Sequence, residues 1–380
     1  MNKTVLLTGA NGFLGSHLVP ELVKNNFRVL CLLRSQKGLS AHDRLRKALE
    51  SVCHGGEDLS EIMSCVDAVE GSIEREDFGL DERKLDALAQ QVDHVLHCAA
   101  MTTFLPHLSK EQWKANVQGT DHIARFVLRC SPRDGLHYVS TAYVAGDRKD
   151  LVYEDELDKG QGFLSGYEKS KFHAEKLLHQ YQKEHNLKIT TYRPGIIVGD
   201  SESGRTVLFN GVYLFVRFFQ VAKQSVDDTC QGKVVIPVRC LGNPEVPKNF
   251  VQINYVVNTI ARLFMLPKAH GATYHITHDN PPKLGELGDV MQEVLNIEGL
   301  EFVEEEAFRE SPATELETIL MEQIGVYAPY LRSEPSFDKG NIKKVLSEDA
   351  IPQCPPMDHQ ALEKLFCYAI ESNWGRKRST

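Results

Sequence analysis

The sequence lacks the features of a membrane or secreted protein. No apolar run approaches the roughly 20 residues that a bilayer-crossing helix needs, so we expect no membrane span. The N-terminal "MNKTVLLTGANG" enters a strand-like run at once and has no small-residue cleavage site, which argues against a signal peptide. Repeats and low-complexity tracts are also missing. We therefore expect a cytoplasmic globular protein.

The sequence also has no excess of basic residues. The 43 Lys and Arg residues are outnumbered by 52 Asp and Glu, for a formal net charge of -9, which argues against nucleic-acid binding through bulk charge. The nine cysteines are odd in number and scattered, a usage typical of reduced thiols. At 380 residues the chain can form one large domain or two coupled ones. A small-molecule enzyme is the default expectation.

Strand-like and helix-like segments alternate through the first two thirds of the chain. The predicted strands are Thr4–Thr8, Arg28–Leu33, Val66–Glu70, His94–Cys98, Leu136–Ser140 and Lys188–Tyr192. The predicted helices are Gly15–Asn25, Ala41–Val52, Lys110–Cys130 and Gly166–His185. This alternation predicts an α/β fold, a doubly wound, Rossmann-like parallel sheet with helices on both faces. Such a sheet binds its ligand outside the carboxyl ends of the strands.

Three glycines at three-residue intervals follow the first strand. Gly9, Gly12 and Gly15 lie where that strand turns into the first helix. A side chain at either of the first two positions would hold a pyrophosphate away from the helix amides, and the third glycine lets the helix lie close to the strand. Because the pattern opens a βαβ unit, it predicts dinucleotide binding.

The end of the second strand indicates which dinucleotide is bound. An NAD site usually has Asp or Glu about 20 residues after the glycines, where it binds the ribose hydroxyls. Here "RVLCLLRS" ends in Arg34 with no acid nearby, and Arg44 follows in "SAHDRLRKAL". Guanidinium groups suit a 2′-phosphate, so the sequence predicts NADPH as the cofactor.

After residue 200 the character of the sequence changes. Loop-rich segments surround the aromatic stretch "LFNGVYLFVRFF", and the C-terminal part is rich in short acidic helices. We expect residues 1–200, with 249–278 returning to them, to form the NADP-binding Rossmann domain. Residues 201–248 and 279–380 are expected to form a smaller, mostly helical substrate-binding domain.

Tyr167 and Lys171 stand four residues apart in "SGYEKSK", at the start of a helix-like segment. That spacing places phenol and ammonium on one helix face. The lysine charge is expected to lower the phenol pKa, so that the tyrosine can exchange a proton with a carbonyl oxygen near neutral pH. Ser140 and Thr141 end the fifth strand, where a hydroxyl can polarise the same oxygen.

These residues resemble the short-chain dehydrogenase/reductase superfamily, in its extended branch. The resemblance covers about residues 3–280 and rests on "TGANGFLG", "HCAA", "NVQGT", "STAYV", "YEKSK" and "RPGIIVGD" in this order. It implies that Thr141 is the catalytic hydroxyl, Tyr167 the acid/base and Lys171 its partner on the ribose. It also implies that Asn116 supports the proton relay. The residues that it implies for cofactor binding are Gly9, Asn11, Gly12, Phe13, Leu14, Gly15, Arg34, Arg44, Ser72, Ile73, Ala99, Ala100, Met101, Asn116, Tyr167, Lys171, Pro194, Gly195 and Ile197. Ser72 stands where many relatives have Asp beside the adenine.

Within that branch the sequence is most similar to thioester reductases. These are the terminal reductase domains of carboxylic acid reductases and peptide synthetases, together with fatty acyl-CoA reductases. The similar segments are "CLLRS…RLRKAL", "HCAAMTTF", "KANVQGT", "RPGIIVGDSESGRT" and "NFVQINYVVNTIARL". The resemblance implies NADPH-dependent reduction of an acyl-CoA or acyl carrier protein thioester to an aldehyde, with onward reduction to the alcohol left open. It leaves monomer and homodimer open as well.

Two other functions stay open. One is an NADP-dependent oxidoreductase of a ketone or hydroxyl compound, steroid-like or flavonol-like, which would release no thiol. The other is a dinucleotide-sensing binding protein without turnover, against which Tyr167 and Lys171 count. A cysteine acyl-enzyme through Cys98 is a rival route for the thioester, but Cys98 ends a strand and is expected to be packed.

The remaining candidates concern the substrate, a carrier and a metal. The aromatic stretch at 208–219 is an apolar helix face, the wall of an acyl tunnel, or both. Docking of an acyl carrier protein would need a local basic patch. Its candidate residues are Lys223, Lys233, Arg239 and Lys248. The pairs His94 with His97 and His275 with His278 do not predict a metal site, because residues three apart in a strand point to opposite faces.

Overall fold

The computed structural model of the chain describes residues 3–53, 58–130, 135–226, 232–347 and 350–376. The prediction of a reduced thiol at Cys230 lies outside these residues, while the other eight cysteines have free thiols. No helix within the described ranges is both long and apolar enough to cross a membrane.

The strands are β1 (Thr4–Thr8), β2 (Arg28–Leu33), β3 (Val66–Glu70), β4 (His94–His97), β5 (Leu136–Val139), β6 (Leu151–Val152), β7 (Ile189–Pro194), β8 (Ile196–Val198), β9 (Val234–Leu241), β10 (Phe250–Gln252), β11 (Thr273–Ile276), β12 (Ile297–Val303) and β13 (Ser336–Phe337). The helices are α1 (Phe13–Lys24), α2 (Ala41–Glu50), α3 (Leu59–Ser64), α4 (Glu82–Ala89), α5 (Ser109–Trp113), α6 (Gly119–Arg129), α7 (Gly166–His185), α8 (Val212–Val226), α9 (Ile253–Phe264), α10 (Leu284–Leu295), α11 (Glu305–Arg309), α12 (Glu315–Ile324), α13 (Gly340–Val345) and α14 (His359–Glu371).

Seven strands form one parallel sheet in the order β11-β7-β5-β4-β1-β2-β3. All five residues of β1 are buried, as in a central strand that helices cover on both faces. Val5 and Leu7 of β1 belong to one core cluster, and Leu6 belongs to the cluster on the opposite face. The strand order changes direction between β1 and β4, which opens a crevice at the carboxyl ends of these strands. The predicted doubly wound fold is confirmed.

A second core lies beyond the sheet. It contains α8, α10, α12 and α14, with Phe219, Met291 and Phe366 completely buried among them. Two strands that the sequence did not predict, β9 and β12, pair in parallel within it. The aromatic stretch at 208–219 supplies much of α8, as its apolar pattern predicted.

The C-terminal part of the chain divides between the two cores. β13 pairs with β6, and Ile342 of α13 packs into the core of the large sheet. Part of residues 279–380 therefore lies against the sheet. We propose that the chain divides into a sheet domain and a mostly helical domain, and that residues 336–345 belong to the sheet domain.

A helical segment lies where the helix Lys110–Cys130 was predicted, but it is not one continuous α-helix. It consists of α5, a π-helical turn at Lys114–Gln118 and α6 in direct succession. Apolar periodicity continues through all three pieces, so the sequence could not show the wider turn. Asn116 lies in that turn, with its side chain buried.

Candidate active site

The loop between β1 and α1 is shaped by its glycines. Gly9 has a φ of +77°, and a Cβ there would lie 2.7 Å from the Ala99 amide nitrogen. A Cβ on Gly15 would lie 2.1 Å from the Gly9 carbonyl oxygen. Around Gly12 the nearest atom is that same oxygen, at 3.2 Å. Gly9 and Gly15 thus pack the loop against the fold and Gly12 leaves room for a ligand, whereas the sequence assigned that room to both Gly9 and Gly12.

The N-terminus of α1 fits a pyrophosphate. Gly12 caps this helix without a side-chain hydrogen bond, and the first turn, all of it described, has no acidic residue. The first amides of a helix have no intrahelical acceptor and present a partial positive charge. In α1 they belong to Phe13, Leu14 and Gly15, with Asn11 exposed beside them.

Arg34 and Arg44 meet beyond the end of β2. The Arg44 guanidinium donates a hydrogen bond to the Arg34 carbonyl oxygen. Burial, and then the Arg34 charge, lowers the pKa of Arg44. Arg34 also forms an ion pair with Glu74, at 3.0 Å between Nη1 and Oε1, although the sequence predicted no acid near it. Glu74 comes from the loop after β3, so its proximity is visible only in the fold.

Ser72 and Ile73 lie in that same loop. The Ser72 hydroxyl accepts a hydrogen bond from the Glu74 amide at 3.3 Å. The Ile73 carbonyl oxygen accepts one from Nδ1 of His122 at 2.7 Å. His122 belongs to α6, so the loop that would contact an adenine is fixed against the helix behind it.

The segment 99–101, after β4, is held by Asn116. The Asn116 side-chain oxygen accepts a hydrogen bond from the Met101 amide at 2.7 Å. Its amide group donates to the Met101 carbonyl oxygen at 3.0 Å and to the Ser170 hydroxyl at 2.8 Å. These bonds use the whole side chain to join 99–101 to α7. Asn116 therefore positions the segment, and its support of a proton relay stays a prediction.

Thr141, Tyr167 and Lys171 come together at the carboxyl end of β5. Thr141 follows that strand, and its hydroxyl lies beside the Tyr167 phenol. Tyr167 and Lys171 lie in the first turns of α7, which starts at the predicted residue because the Ser165 hydroxyl accepts from the Glu168 amide at 3.2 Å. The Lys171 ammonium group donates to the carbonyl oxygen that ends β5 at 2.7 Å.

Burial decides the protonation of this group. Burial raises the pKa of Tyr167, and the hydrogen bond with Thr141 lowers it by less. Burial lowers the pKa of Lys171 to about 7, against the opposing charge of Glu175. The sequence predicted that the lysine charge lowers the phenol pKa. In this structure burial outweighs any such effect and the phenol pKa is raised, while burial also lowers the pKa of Lys171 to about 7.

Cys98 stands beside this group as a thiol. Burial raises the pKa of Cys98 to about 12, and the Lys171 charge lowers it by less. A thiolate is the nucleophilic form of cysteine. The structure therefore gives no support to an acyl-enzyme on Cys98.

Pro194 and Gly195 lie at the carboxyl end of β7. Pro194 ends β7, and the Gly195 amide donates a hydrogen bond to the Ile276 carbonyl oxygen at 3.0 Å. A Cβ on Gly195 would lie 2.5 Å from the Asn249 carbonyl oxygen. Only glycine therefore allows the segments around residues 195 and 249 to lie this close together. Ile197, two residues further, lines the cavity described next.

A cavity of about 240 Å³ joins Tyr167 to the second core. Most of its wall is apolar or aromatic. Phe104 packs beside Tyr167, with 5.9 Å between ring centroids, and Phe215, Met291 and Phe366 line the part inside the second core. The aromatic stretch at 208–219 is thus both core and cavity wall.

The cavity also has polar side chains that the sequence did not single out. Glu168 and Lys248 line it, and Lys248 forms a buried ion pair with Glu334. Tyr143 donates a hydrogen bond to Glu334 at 2.7 Å. Glu168 stands between the two catalytic candidates in "YEKSK", where it could have been noticed. Glu334 is 191 residues from Tyr143, so no motif could connect them.

Of the four predicted carrier-docking residues, Lys248 is wrong because it is buried, whereas Lys223 and Arg239 are half-buried and bonded to acceptors of this chain. The Lys223 ammonium donates to the Leu295 carbonyl oxygen at 2.8 Å. Arg239 pairs with Glu317 at 2.9 Å, and Lys248 is 3% exposed. Of the four candidates, Lys233 has an exposed side chain.

His94 and His97 lie on opposite faces of the sheet. The ring of His94 packs against Phe264, and His97 bonds to Thr120 at 3.1 Å. Burial lowers the pKa of His97 to about 3. Within the described residues, no group of three or more His, Cys, Asp or Glu side chains is placed to hold a metal ion.

Residues 7–260 match the model of an NAD-binding family described as "Male sterility protein". The nonribosomal peptide synthetase asaC of Aspergillus flavus is 28% identical over 291 residues, which are 73% of this chain and 26% of that protein. The isonitrile lipopeptide synthase of Mycobacterium tuberculosis is 32% identical over 216 residues, which are 52% of this chain and 8% of that protein. The chain thus spans about a quarter or less of these curated relatives. The solved terminal R domain from the myxalamid PKS-NRPS biosynthetic pathway has a TM-score of 0.79 and 25% identity, over 98% of this chain and 92% of that one.

Proposed function

The chain belongs to the Male sterility protein family, within the extended short-chain dehydrogenase/reductase superfamily, and we propose that it is an NADPH-dependent reductase of acyl thioesters. Its product is an aldehyde, with reduction to the alcohol as a second step that an assay can detect. The observation that carries this proposal is the apolar cavity that joins Tyr167 to the second core, because an acyl chain needs such a space beside the reacting carbonyl.

The family is one of NAD-binding domains, so the cofactor is a nicotinamide dinucleotide. The uncapped first turn of α1 fits its pyrophosphate. The neighbouring guanidinium groups of Arg34 and Arg44 favour a 2′-phosphate, and hence NADPH. Glu74 now pairs with Arg34, and an incoming phosphate competes with this carboxylate for the guanidinium group.

The chain's own residues hold the thioester and move the proton. A reduced nicotinamide cofactor, once bound, would supply the hydride for the carbonyl carbon. Thr141 and Tyr167 donate hydrogen bonds to the carbonyl oxygen, which gains negative charge as the carbon becomes tetrahedral. The C–S bond then breaks, the carbon–oxygen double bond reforms, and the Tyr167 proton balances the departing sulfur as a free thiol. The Lys171 ammonium group stabilises the phenolate that remains.

The thioester carrier belongs to the proposal as well. The relatives named above are a peptide synthetase and a lipopeptide synthase, and the solved structure is a terminal R domain. We infer that the substrate of this chain is an acyl group on an acyl carrier protein or on coenzyme A. Because Lys248 is buried and Lys223 and Arg239 are bonded to acceptors of this chain, we infer that carrier docking uses a different surface.

The test is an NADPH-oxidation assay with parallel detection of released thiol. Medium- and long-chain acyl groups are offered both on coenzyme A and on an acyl carrier protein. We expect thiol release coupled to NADPH loss, at one NADPH per thiol for an aldehyde and two for an alcohol. Tyr167→Phe is expected to lower the rate by about 10²-fold or more. NADPH oxidation with a steroid or flavonol ketone, but no thiol from either carrier, would show the proposal to be wrong.

A further inference from the structure

One carboxylate oxygen at the cavity wall has no partner. Glu168 is 0% exposed and lines the cavity. Its Oε2 atom accepts a hydrogen bond from the Leu164 amide at 2.8 Å. In the part of the chain that the structure describes, no donor reaches its Oε1 atom. Buried polar groups nearly always have partners, and an unpaired one is costly.

The Tyr330 hydroxyl lies on the same wall and is in the same situation. It is buried, and no described residue meets it with hydrogen-bond geometry. It faces Glu168: burial raises the pKa of that carboxyl to about 7, and the nearby Tyr330 hydroxyl lowers it by less. The Tyr330 ring packs edge-on against Phe104, whose ring also packs beside Tyr167. Both unpaired oxygens therefore belong to the end of the cavity where Tyr167 stands.

Lys248, the other charged residue of the wall, already has hydrogen-bond partners. Lys248 pairs with Glu334 and donates a second hydrogen bond to the Tyr330 carbonyl oxygen at 2.7 Å. The Tyr143 hydroxyl also donates to Glu334. The Glu168 carboxyl and the Tyr330 hydroxyl thus face each other in a mainly apolar wall without hydrogen-bond geometry, and we expect a polar group of the molecule that occupies the cavity to bridge them.

Resting on the proposed thioester reduction, we propose that Glu168 and Tyr330 form a polar subsite for acyl chains with a hydroxyl or amino group close to the thioester carbonyl. Tyr167 and Glu168 both line the cavity, so a carbonyl held at Tyr167 places the first carbons of the chain near this subsite. A donor on those carbons completes the hydrogen bonds of Glu168 Oε1, and the Tyr330 hydroxyl bonds to the same substituent. A plain hydrocarbon chain leaves these two groups without a bridging partner in a dry cavity, which a site of this kind selects against.

Three thioesters test the subsite: octanoyl, 3-hydroxyoctanoyl and 3-aminooctanoyl, each on the carrier that supports thiol release. In the wild type we expect kcat/KM for a substituted chain to exceed that for octanoyl by about tenfold or more. Glu168→Gln keeps an oxygen for the Leu164 amide but replaces the other oxygen with a donor. It is expected to abolish most of this preference, chiefly through KM, and Tyr330→Phe is expected to reduce it. Glu322→Gln, an exposed glutamate of α12, is the matched control and keeps the wild-type preference.

The outcomes separate the subsite from the reaction. Equal kcat/KM for the three substrates, or a preference that survives both substitutions, would overturn the subsite and leave thioester reduction standing. Thiol release from none of them contradicts the proposed function, and the subsite with it. If Glu168→Gln does not fold, Tyr330→Phe decides, since it removes one hydroxyl and no backbone contact.

Discussion

Lys171 shows how much a dry site changes a single residue. Its side chain is 1% exposed, its ammonium group lies 4.1 Å from the centroid of the Tyr138 ring, and its acceptor is a carbonyl oxygen. Burial lowers its pKa to about 7, from an ordinary 10.5. The charge next to Tyr167 therefore changes near neutral pH, and under the proposed mechanism we expect both groups to bear on the pH dependence of the reaction.

The lowered pKa of Lys171 has a consequence for stability. Between about pH 7 and about pH 10.5 the unfolded chain binds more protons at this residue than the folded chain, so the free energy of unfolding rises with pH in that window. The slope from one such group approaches about 1.4 kcal/mol per pH unit. Urea unfolding at about pH 7.5 and about pH 9 should show a rise in the wild type that exceeds the rise in Lys171→Met by about 1–2 kcal/mol. Parallel curves for the two proteins would mean that the pKa is not lowered.

The choice of cofactor rests on two residues. Arg34→Ala and Arg44→Ala each remove one guanidinium group from the proposed 2′-phosphate site. We expect each to raise KM for NADPH by about 10- to 100-fold and to leave KM for NADH nearly unchanged. Arg46→Ala is the matched control, because Arg46 is exposed on α2 and pairs with Glu50 at 3.0 Å. Equal losses with both cofactors would place the arginines outside the phosphate site.

At the scale of elements, local signals determine how much could be predicted. Helix α7 runs over the predicted residues because Ser165 caps its start and Asn186, with a φ of 52°, ends it. Strand β9 was not predicted. Its sequence "VVIPVRCL" contains a proline, at an exposed position, and its partner β12 follows only after the chain has returned to the large sheet. Caps and apolar runs are visible in sequence, whereas pairing between distant segments is not.

The turn from β1 into α1 gives a prediction for an element. A Cβ at Gly15 would lie 2.1 Å from the Gly9 carbonyl oxygen, so Gly15→Ala must push α1 away from its strand. We expect a loss of about 2–3 kcal/mol in the free energy of unfolding, measured with urea. Gly325→Ala is the control, since a Cβ there has no neighbour within 4 Å. Similar stability of the two variants would show that the turn is not tightly packed.

At the scale of the whole molecule, the candidate site needs both cores. Thr141 and Tyr167 each belong to a short motif near the carboxyl ends of the strands. The sequence alone could therefore predict that they come together. The cavity wall comes from α8, α10 and α14, and the segment with Tyr330 and Glu334 closes it. These parts are far apart in sequence and have no motif in common. The candidate catalytic residues could therefore be predicted from the sequence, and the residues of the cavity wall could not.

Glu334 joins these parts. Its carboxylate pairs with Lys248, accepts a hydrogen bond from the Asn249 amide at 2.8 Å and accepts another from Tyr143. Glu334→Ala leaves Lys248 buried without its anion, which is expected to cost about 3–5 kcal/mol in the free energy of unfolding.

The double variant Lys248→Met with Glu334→Leu removes both charges, and we expect it to recover most of that stability, because an apolar pair of similar volume can replace a buried ion pair. Urea unfolding of the three proteins checks this. If the double variant is as unstable as Glu334→Ala, the hydrogen bonds to Tyr143 and Asn249, rather than the buried charge, hold the segment in place. In that case both variants should also lose the preference for substituted acyl chains, since Tyr330 lies in the segment that Glu334 fixes to the sheet.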